Sequence, residues 1–273
     1  MMAYKVVTDE DWEEVWEKIG VGWPVRPGLF VKGNGRFEWH DDEFLRFRMS
    51  PTKAPTHSDI QINDHGYERA FRWGVGTRLM VEGRFSAGAE GLTGTAGFGF
   101  WNKPFKFWSR RFYNLPRVTW FFAASPKSNM KFTVNAPGDG FKGEMLNVNW
   151  WRFALFLLSA PVTVPLMRWD AFYRWFWRWG ERALGASEAE IDVDITAWHR
   201  YELVWEAERM LYFVDGELVH ETPYSIKEKL GFVAWIDNKH AVVTPWGSLA
   251  YGKLDVAEEE WMDIRKVVIE RMS

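Results

Sequence analysis

Asp237, Asn238, Lys239 and His240 follow one another directly after the apolar run Leu230–Ile236, with Trp246 shortly beyond. A carboxylate and an imidazole at a strand end can exchange protons with a bound substrate, which makes Asp237 and His240 the candidate catalytic pair. The same four residues would also serve as an ordinary polar turn. Asp59, Asp64, His65 and Glu68 form a second polar cluster, expected in a loop before Trp73, and loops can carry function. Their spacing matches no metal motif. The chain has no cysteine, so thiolate chemistry, disulfides and cysteine-ligated zinc are excluded. Trp120 and Phe122, two apart on an expected strand, point the same way. Around them, Gly91 to Gly138 holds no Asp or Glu against seven Lys and Arg. A face with aromatics and cations but no acids suits an apolar or anionic ligand. Filling of core space is the alternative.

The elements that must position these residues read mainly as short strands. Arg36–Trp39 and Phe44–Met49 flank a polar turn, His40-Asp41-Asp42-Glu43, and Leu45, Phe47 and Met49 alternate with Arg46 and Arg48. Further expected strands are Leu79–Ala87, Gly97–Trp101, Pro116–Ala123, Met130–Val134, Leu230–Ile236 and Met262–Glu270. The clearest hairpin joins Met210–Val214 to Glu217–Glu221 through Asp215-Gly216, next to Tyr201–Trp205. Many short strands with Gly, Pro and Asp turns imply a sandwich or barrel. Residues 8–20 read as an N-terminal helix, capped by Thr8 with Asp11 and ended by Gly20, with Trp12, Val15, Trp16 and Ile19 on one stripe.

Residues 149–185 break the pattern and read as a helical hairpin inserted between strands. Asn149–Ala160 is the expected first arm, Pro161 to Pro165 the turn, Leu166–Leu184 the second arm, and Gly185 the stop. The second arm carries Trp169, Tyr173, Trp175, Phe176, Trp177 and Trp179, with Arg174 and Arg178 spaced four apart. The uncharged stretch Phe153–Met167 spans 15 residues, short of the roughly 20 that cross a bilayer. Three readings stand open: an anchor in a membrane interface, a lid or oligomer contact, and a buried structural excursion.

At 273 residues and a net charge of −3, the chain fits one large domain and does not suggest a nucleic-acid partner. Four acids before residue 14 and no apolar h-region argue against a signal peptide. A cytoplasmic protein, peripheral at the membrane through its insert, is the expectation. Aromatics make up 18% of the chain, with 19 Trp. So many imply that some line a ligand face or a membrane interface.

Trp198–Glu221, with His199, Tyr201, Trp205, Tyr212 or Phe213, Val214, Asp215 and Gly216, resembles the signature hairpin of glycoside hydrolase family sixteen, the laminarinase and lichenase group. Val81–Phe85 with Gly97–Trp101, and Trp261–Ile269, are similar to that family's neighbouring and closing strands, in the same order. The resemblance implies an all-β, concanavalin-like jelly-roll β-sandwich as a single domain over residues 1–273. It also implies a ligand cleft near Trp101, Asn102, Trp120, Phe122, Trp235 and Trp246, with Asp237 and His240 at its rim. Asp263 matches an acid that helps hold a structural calcium in some relatives; no other cofactor is implied. The family's retaining chemistry needs two carboxylates about 5–5.5 Å apart, at alternate positions of one strand. Arg117–Ala124, the matching strand, has none. The expected function is therefore binding of a hydrophobic or lipid-like small molecule at an aromatic concave face, without glycosidase activity. A non-glycosidase enzyme (isomerase, cyclase or hydratase) and a sugar-binding lectin-like module are the alternatives. The expected partners are such a small molecule and, through 149–184, a membrane surface or a second copy.

Overall fold

The computed structural model describes residues 4–21, 23, 27–65, 71–102 and 115–272. Glu68 lies outside them. Two large antiparallel sheets face each other. The first runs, in spatial order, β1 (Tyr4–Val6), β4 (Gly35–His40), β5 (Phe44–Met49), β19 (Glu260–Arg271), β7 (Thr77–Phe85), β13 (His199–Trp205), β14 (Met210–Val214) and β15 (Glu217–Glu221); β2 (Gly20–Val21) lies parallel to β19. The second runs β12 (Ala186–Glu190), β11 (Gly140–Asn147), β9 (Arg117–Ala124), β8 (Thr95–Trp101), β16 (Gly231–Asp237), β6 (Asp59–Asn63) and β3 (Gly28–Lys32). A small third sheet holds β10 (Asn129–Met130), β17 (Lys239–Val243) and β18 (Leu249–Lys253). The chain crosses repeatedly between the two large sheets, so sequence neighbours such as β7 and β8 lie in different layers. This is a jelly-roll sandwich.

Alternation builds the core. Every second residue of β7 is buried, from Thr77 to Phe85. Aromatic rings from the facing layers interdigitate: Phe98 and Phe121 lie 5.1 and 5.2 Å from Tyr201, and Phe100 lies 5.6 Å from Trp205. Asp215 and Gly216 both take positive φ, 52° and 89°, as a two-residue hairpin between right-twisted strands requires. The N-terminal helix is α1 (Trp12–Ile19), and Trp12, Val15, Trp16 and Ile19 are its buried stripe. Asp11 is its N-cap, and its carboxylate accepts hydrogen bonds from Thr8 N and Oγ1, so Thr8 flanks the cap rather than forming it.

Three sequence expectations need correction. Asp59–Asn63 is a paired strand and not a loop: its polar residues line one face while Ile60 and Ile62 enter the core. Met130–Val134 pairs only at its first residue; the remainder is a strap held by side chains. The insert consists of α2 (Trp150–Leu166) and α3 (Asp170–Leu184), with the turn at 167–169 rather than at the prolines. Helix α2 continues through Pro161, with Ser159 Oγ donating to Phe156 O and Thr163 Oγ1 to Ser159 O around the site of the missing N–H. Gly185, at φ 57°, ends α3 in a left-handed cap.

Candidate functional site

Cross-strand register decides what shares the outer face of the second sheet. Trp120 on β9 stands opposite Gly99 on β8 and Glu144 on β11, and Glu144 stands opposite Glu188 on β12. One pair along, Phe122 faces Gly97 and Lys142, and Gly97 faces Trp235. Directly opposed residues in an antiparallel pair project to the same side. The glycines of β8 leave room for large rings: a Cβ on Gly97 would lie 3.1 Å from the Trp235 ring. Trp120 accordingly packs 5.6 Å from Phe122, 5.0 Å from Trp235 and 6.5 Å from Trp101.

Four of the six residues expected at a ligand face therefore meet there. Asn102 is buried next to them, donating to Leu115 O and accepting from Arg117 N, and so ties the two strand ends together. Trp246 does not join them; it packs edge-on at 5.5 Å against Tyr173 of the hairpin. Nor is the face free of acids. No carboxylate lies on β9, but β11 and β12 bring Glu144 and Glu188 next to Trp120, with Lys142 between them, 3.8 Å from Glu144 and 2.7 Å from Glu188. Sequence reasoning passed over these three. The signal was present: Lys142 and Glu144 alternate inside Gly140–Asn147, a segment bounded by apolar Phe141 and Met145.

These charges hold a cover. Lys142 Nζ donates to Met130 O (3.0 Å) and Pro137 O (3.2 Å). Glu188 accepts from Phe132 N (2.9 Å) and from Thr133 N (2.8 Å) and Oγ1 (3.1 Å). Residues 129–138 are thereby strapped across the aromatic face, with Met130 against the Trp235 cluster and Phe132 against Val118 and Leu146. From the other side α3 grips the same strap: Trp177 Nε1 donates to Phe132 O (2.9 Å), Tyr173 OH to Thr133 O (3.4 Å), and Val134 N to Glu181. Two polar atoms under the strap remain without a hydrogen bond, Trp120 Nε1 and Glu144 Oε2. Burial pushes the Glu144 carboxyl up to about 8; Lys142 and the approach of the Trp120 indole oppose the shift, and Glu188 adds to it.

Asp237 and His240 sit in different surroundings. Asp237 is buried at the end of β16, accepts from Thr95 Oγ1 (2.8 Å) and lies 2.8 Å from Lys239 Nζ. Lys239 also binds Asp59 (2.7 Å), whose carboxylate lies 3.3 Å from His57 Nε2. His57, Asp59 and Asp237 can each bring one ligand atom within 4.8 Å of the others, a spacing that suits a metal ion. The Lys239 ammonium already supplies the positive charge between the two acids. His240 alternates to the other side of β17, where its ring lies against Gly252 and its Nδ1 has no hydrogen-bond partner. Asp64 accepts from Phe232 N (2.7 Å) and from the Trp73 indole, and burial pushes its carboxyl up to about 6; His65 accepts from Trp101 Nε1 at 2.8 Å. Asp263 is fully buried, with its oxygens bonded by Arg46 (2.7 and 2.9 Å) and Arg84 (3.0 Å). Two guanidiniums there provide the charge that a calcium ion would bring.

The hairpin carries half of the exposed large apolar side chains among the described residues. Tyr173, Trp177 and Gly180 form the buried stripe of α3, and Thr163 is the one buried residue of α2. Phe176 packs 5.8 Å from Phe156, joining the two helices. Outward stand Trp150, Trp151, Leu155, Leu157, Leu158, Val162, Leu166, Trp169, Trp175 and Trp179, ten of the twenty exposed large apolar residues described. Leu158 is 79% exposed and Trp175 64%. Leu249 and Tyr251 extend the surface from β18, where Gly247 touches Val164 of α2. Arg174 pairs with Asp170 (2.8 Å). Among the described residues no helix is long and apolar enough to cross a membrane. Beneath the hairpin, an open cleft of about 860 Å³ lies between the start of α2, the end of α3, β12 and the strap.

No family model and no curated protein sequence matches the chain. Among solved structures it is similar to a pseudo β-1,3-glucanase of Mycobacterium tuberculosis, at 11% identity over 93% of this chain and 94% of that one, with a TM-score of 0.48. It is also similar to the catalytic domain of an endo-1,3-β-glucanase (laminarinase) from Thermotoga petrophila, at 8% identity over all of both chains and a TM-score of 0.47. A family 16 glycosyl hydrolase protein of Mycobacterium smegmatis shares 10% identity over 92% of this chain and 94% of that one, with a TM-score of 0.46. The likeness is one of jelly-roll architecture.

Proposed function

We propose that this protein works at a membrane surface, with the α2–α3 hairpin seated at headgroup depth and the jelly roll held outside. One observation carries the reading: half of the exposed large apolar side chains described fall within 36 residues that also carry five arginines. Apolar patches of this kind mark interaction sites. Trp at the water–lipid boundary with Arg stems reaching to the headgroups is the pattern of an interfacial helix. Burying Leu158, Val162, Trp169 and Trp175 contributes about 1–2 kcal/mol each, and each Arg near an anionic surface about 1 kcal/mol. Flotation with neutral and anionic vesicles tests this. Wild type rises with anionic vesicles, less so at high salt, and Leu158→Ser/Trp175→Ser remains below. If wild type stays below and instead forms a dimer that the double variant loses, the hairpin is a self-association surface.

A second reading places a small hydrophobic or sugar-like molecule under the strap. Trp120 Nε1 and the Glu144 carboxyl approach each other without a well-formed hydrogen bond, and this favours it, because one ligand hydroxyl placed between them would accept from the indole and donate to the carboxyl. Trp120→Ala then weakens binding of an apolar fluorescent probe more than it lowers the melting temperature. Intact probe binding in a strongly destabilised variant assigns Trp120 to packing alone.

A further inference from the structure

The cleft beneath the hairpin adjoins the proposed docking face and shares residues with it. Trp151 and Trp179, 58% and 60% exposed, belong to both. Arg152, Arg182, Asn135 and Tyr224 are among the residues that line it. Arg152 lies 5.2 Å over the Trp151 ring and Arg182 5.6 Å over that of Trp179. Arg152 Nη1 donates to Arg182 O at 3.4 Å. Neither guanidinium has a carboxylate within 4.0 Å among the described residues. Ion pairing among the described residues does not account for the arrangement. Two carboxylates line the same cleft, but both are engaged on the strap: Glu188 by Lys142 and the 132–133 N–H groups, Glu181 by Val134 N. Glu181 is bound through Oε1 alone, so the cleft sets the two guanidiniums of Arg152 and Arg182 against one carboxylate oxygen left open. The first turn of α2, which brings Trp151 and Arg152 to the cleft, contains no acid.

We infer that this cleft seats the phosphate of an anionic glycerophospholipid, held between the Arg152 and Arg182 guanidiniums while the acyl chains stay in the bilayer. One guanidinium fork takes up both oxygens of a carboxylate, whereas the three terminal oxygens and higher charge of a phosphate monoester can meet two guanidiniums at once. An indole under each guanidinium restricts its orientation and keeps the fork aimed. The inference rests on the membrane reading for the depth of the cleft, but the phosphate contact stands on the cleft alone.

The experiment has two arms. In the first, wild type, Arg152→Gln/Arg182→Gln and the control Arg174→Gln/Arg178→Gln are floated with vesicles carrying phosphatidate or oleate at matched surface charge. Both pairs remove the same formal charge from the hairpin, so a merely electrostatic role moves them together. The expected result is a preference of wild type for phosphatidate that the cleft pair loses, by on the order of tenfold or more, and the control pair keeps. Arg152→Lys/Arg182→Lys retains the charge without the fork and loses most of the preference. In the second arm, dihexanoyl phosphatidate below its micelle concentration is titrated in solution, with tryptophan fluorescence as the readout. Wild type responds and the cleft pair does not. Equal effects of the two arginine pairs on flotation, or no solution response in wild type, overturns the assignment. Failure of wild type to float with either vesicle, while the solution arm still responds, overturns the membrane reading and leaves the phosphate site in place.

Discussion

Replacing Glu144 by Gln should raise stability more the higher the pH. Glu144 is 2% exposed, stands between Trp120 and Glu188 on the covered face, and its Oε2 accepts no hydrogen bond. Burial pushes its carboxyl from 4.5 up to about 8. Below pH 4.5 the folded and unfolded chains both hold this proton, and the group adds nothing to the pH dependence. Between 4.5 and about 8 the unfolded chain has released it and the folded chain keeps it, so stability falls as pH rises through that window. At about 1.4 kcal/mol per unit the whole interval corresponds to at most about 5 kcal/mol. Gln cannot ionise and keeps the shape, so the variant escapes this loss. Near pH 5 the two proteins should melt within a degree or two of each other. By pH 8 the variant should melt higher by several degrees, since each kcal/mol shifts a domain of this size by about 2–4 °C. Other buried acids with raised values, Asp64, Glu181 and Glu260 among them, act on both proteins alike and cancel in the difference. Calorimetry of both proteins across pH 5–8.5 reads the effect. Parallel melting curves throughout would show that Glu144 is ionised in the fold, with Lys142 neutralising it.

Lys142→Met leaves Glu188 buried without its cation and should cost about 3–5 kcal/mol; adding Glu188→Gln should recover part of it, as urea unfolding would show. Lys239→Met should turn Asp59, Asp237 and His57 into a divalent-cation site, read as a rise in melting temperature with Mn²⁺ or Zn²⁺ that wild type lacks. Incubation with β-1,3- or β-1,4-glucans should release no reducing sugar: β9 carries no carboxylate, Glu144 is buried beneath the strap, and Glu188 is held by Lys142 and the 132–133 N–H groups. Sustained release by independent preparations would count against this.

The sequence announced an element where one face of it is apolar and the other wet. Tyr201–Glu221 was readable for that reason, since alternation and Asp-Gly agree on the register. Residues 12–19 were readable because a single stripe meets the sandwich. Strand β11 was hidden because it is buried on both faces and carries Lys142 and Glu144 on the side away from the core. Local pattern cannot distinguish such charges from a solvent-facing row, and only the neighbouring strand reveals that they are partners. Strand β6 was hidden for a related reason: Asp59 and Gln61 belong to the covered face and read as loop residues. Met130–Val134 misled in the opposite sense. Its residues alternate, but Lys142 and Glu188 take the backbone groups that a ladder would have used.

Anchor, lid and structural excursion are not exclusive roles for the hairpin. On α3, Tyr173, Trp177 and Gly180 follow helical spacing along one side and press on the strap, while Trp175 and Trp179 follow it along another and stand exposed. A single helix can therefore be structural on one side and a docking surface on the other. Helix α2 contributes little to the sandwich, and its prolines fall within an uncharged stretch whose outward residues are mainly Leu and Val. Burial among the described residues does not account for its apolar composition. The strap separates the two regions: Lys142 and Glu188 hold it from the sheet, and Tyr173, Trp177 and Glu181 hold it from α3. Any displacement of α3 on docking must break those three contacts or carry residues 129–138 along. Carrying them away from the sheet would uncover Trp120 and Glu144, the two groups on the aromatic face whose polar atoms are still unbonded. The exposed apolar side of the hairpin and the covered face are thus joined through one ten-residue segment, and access to the second depends on how firmly α3 is held.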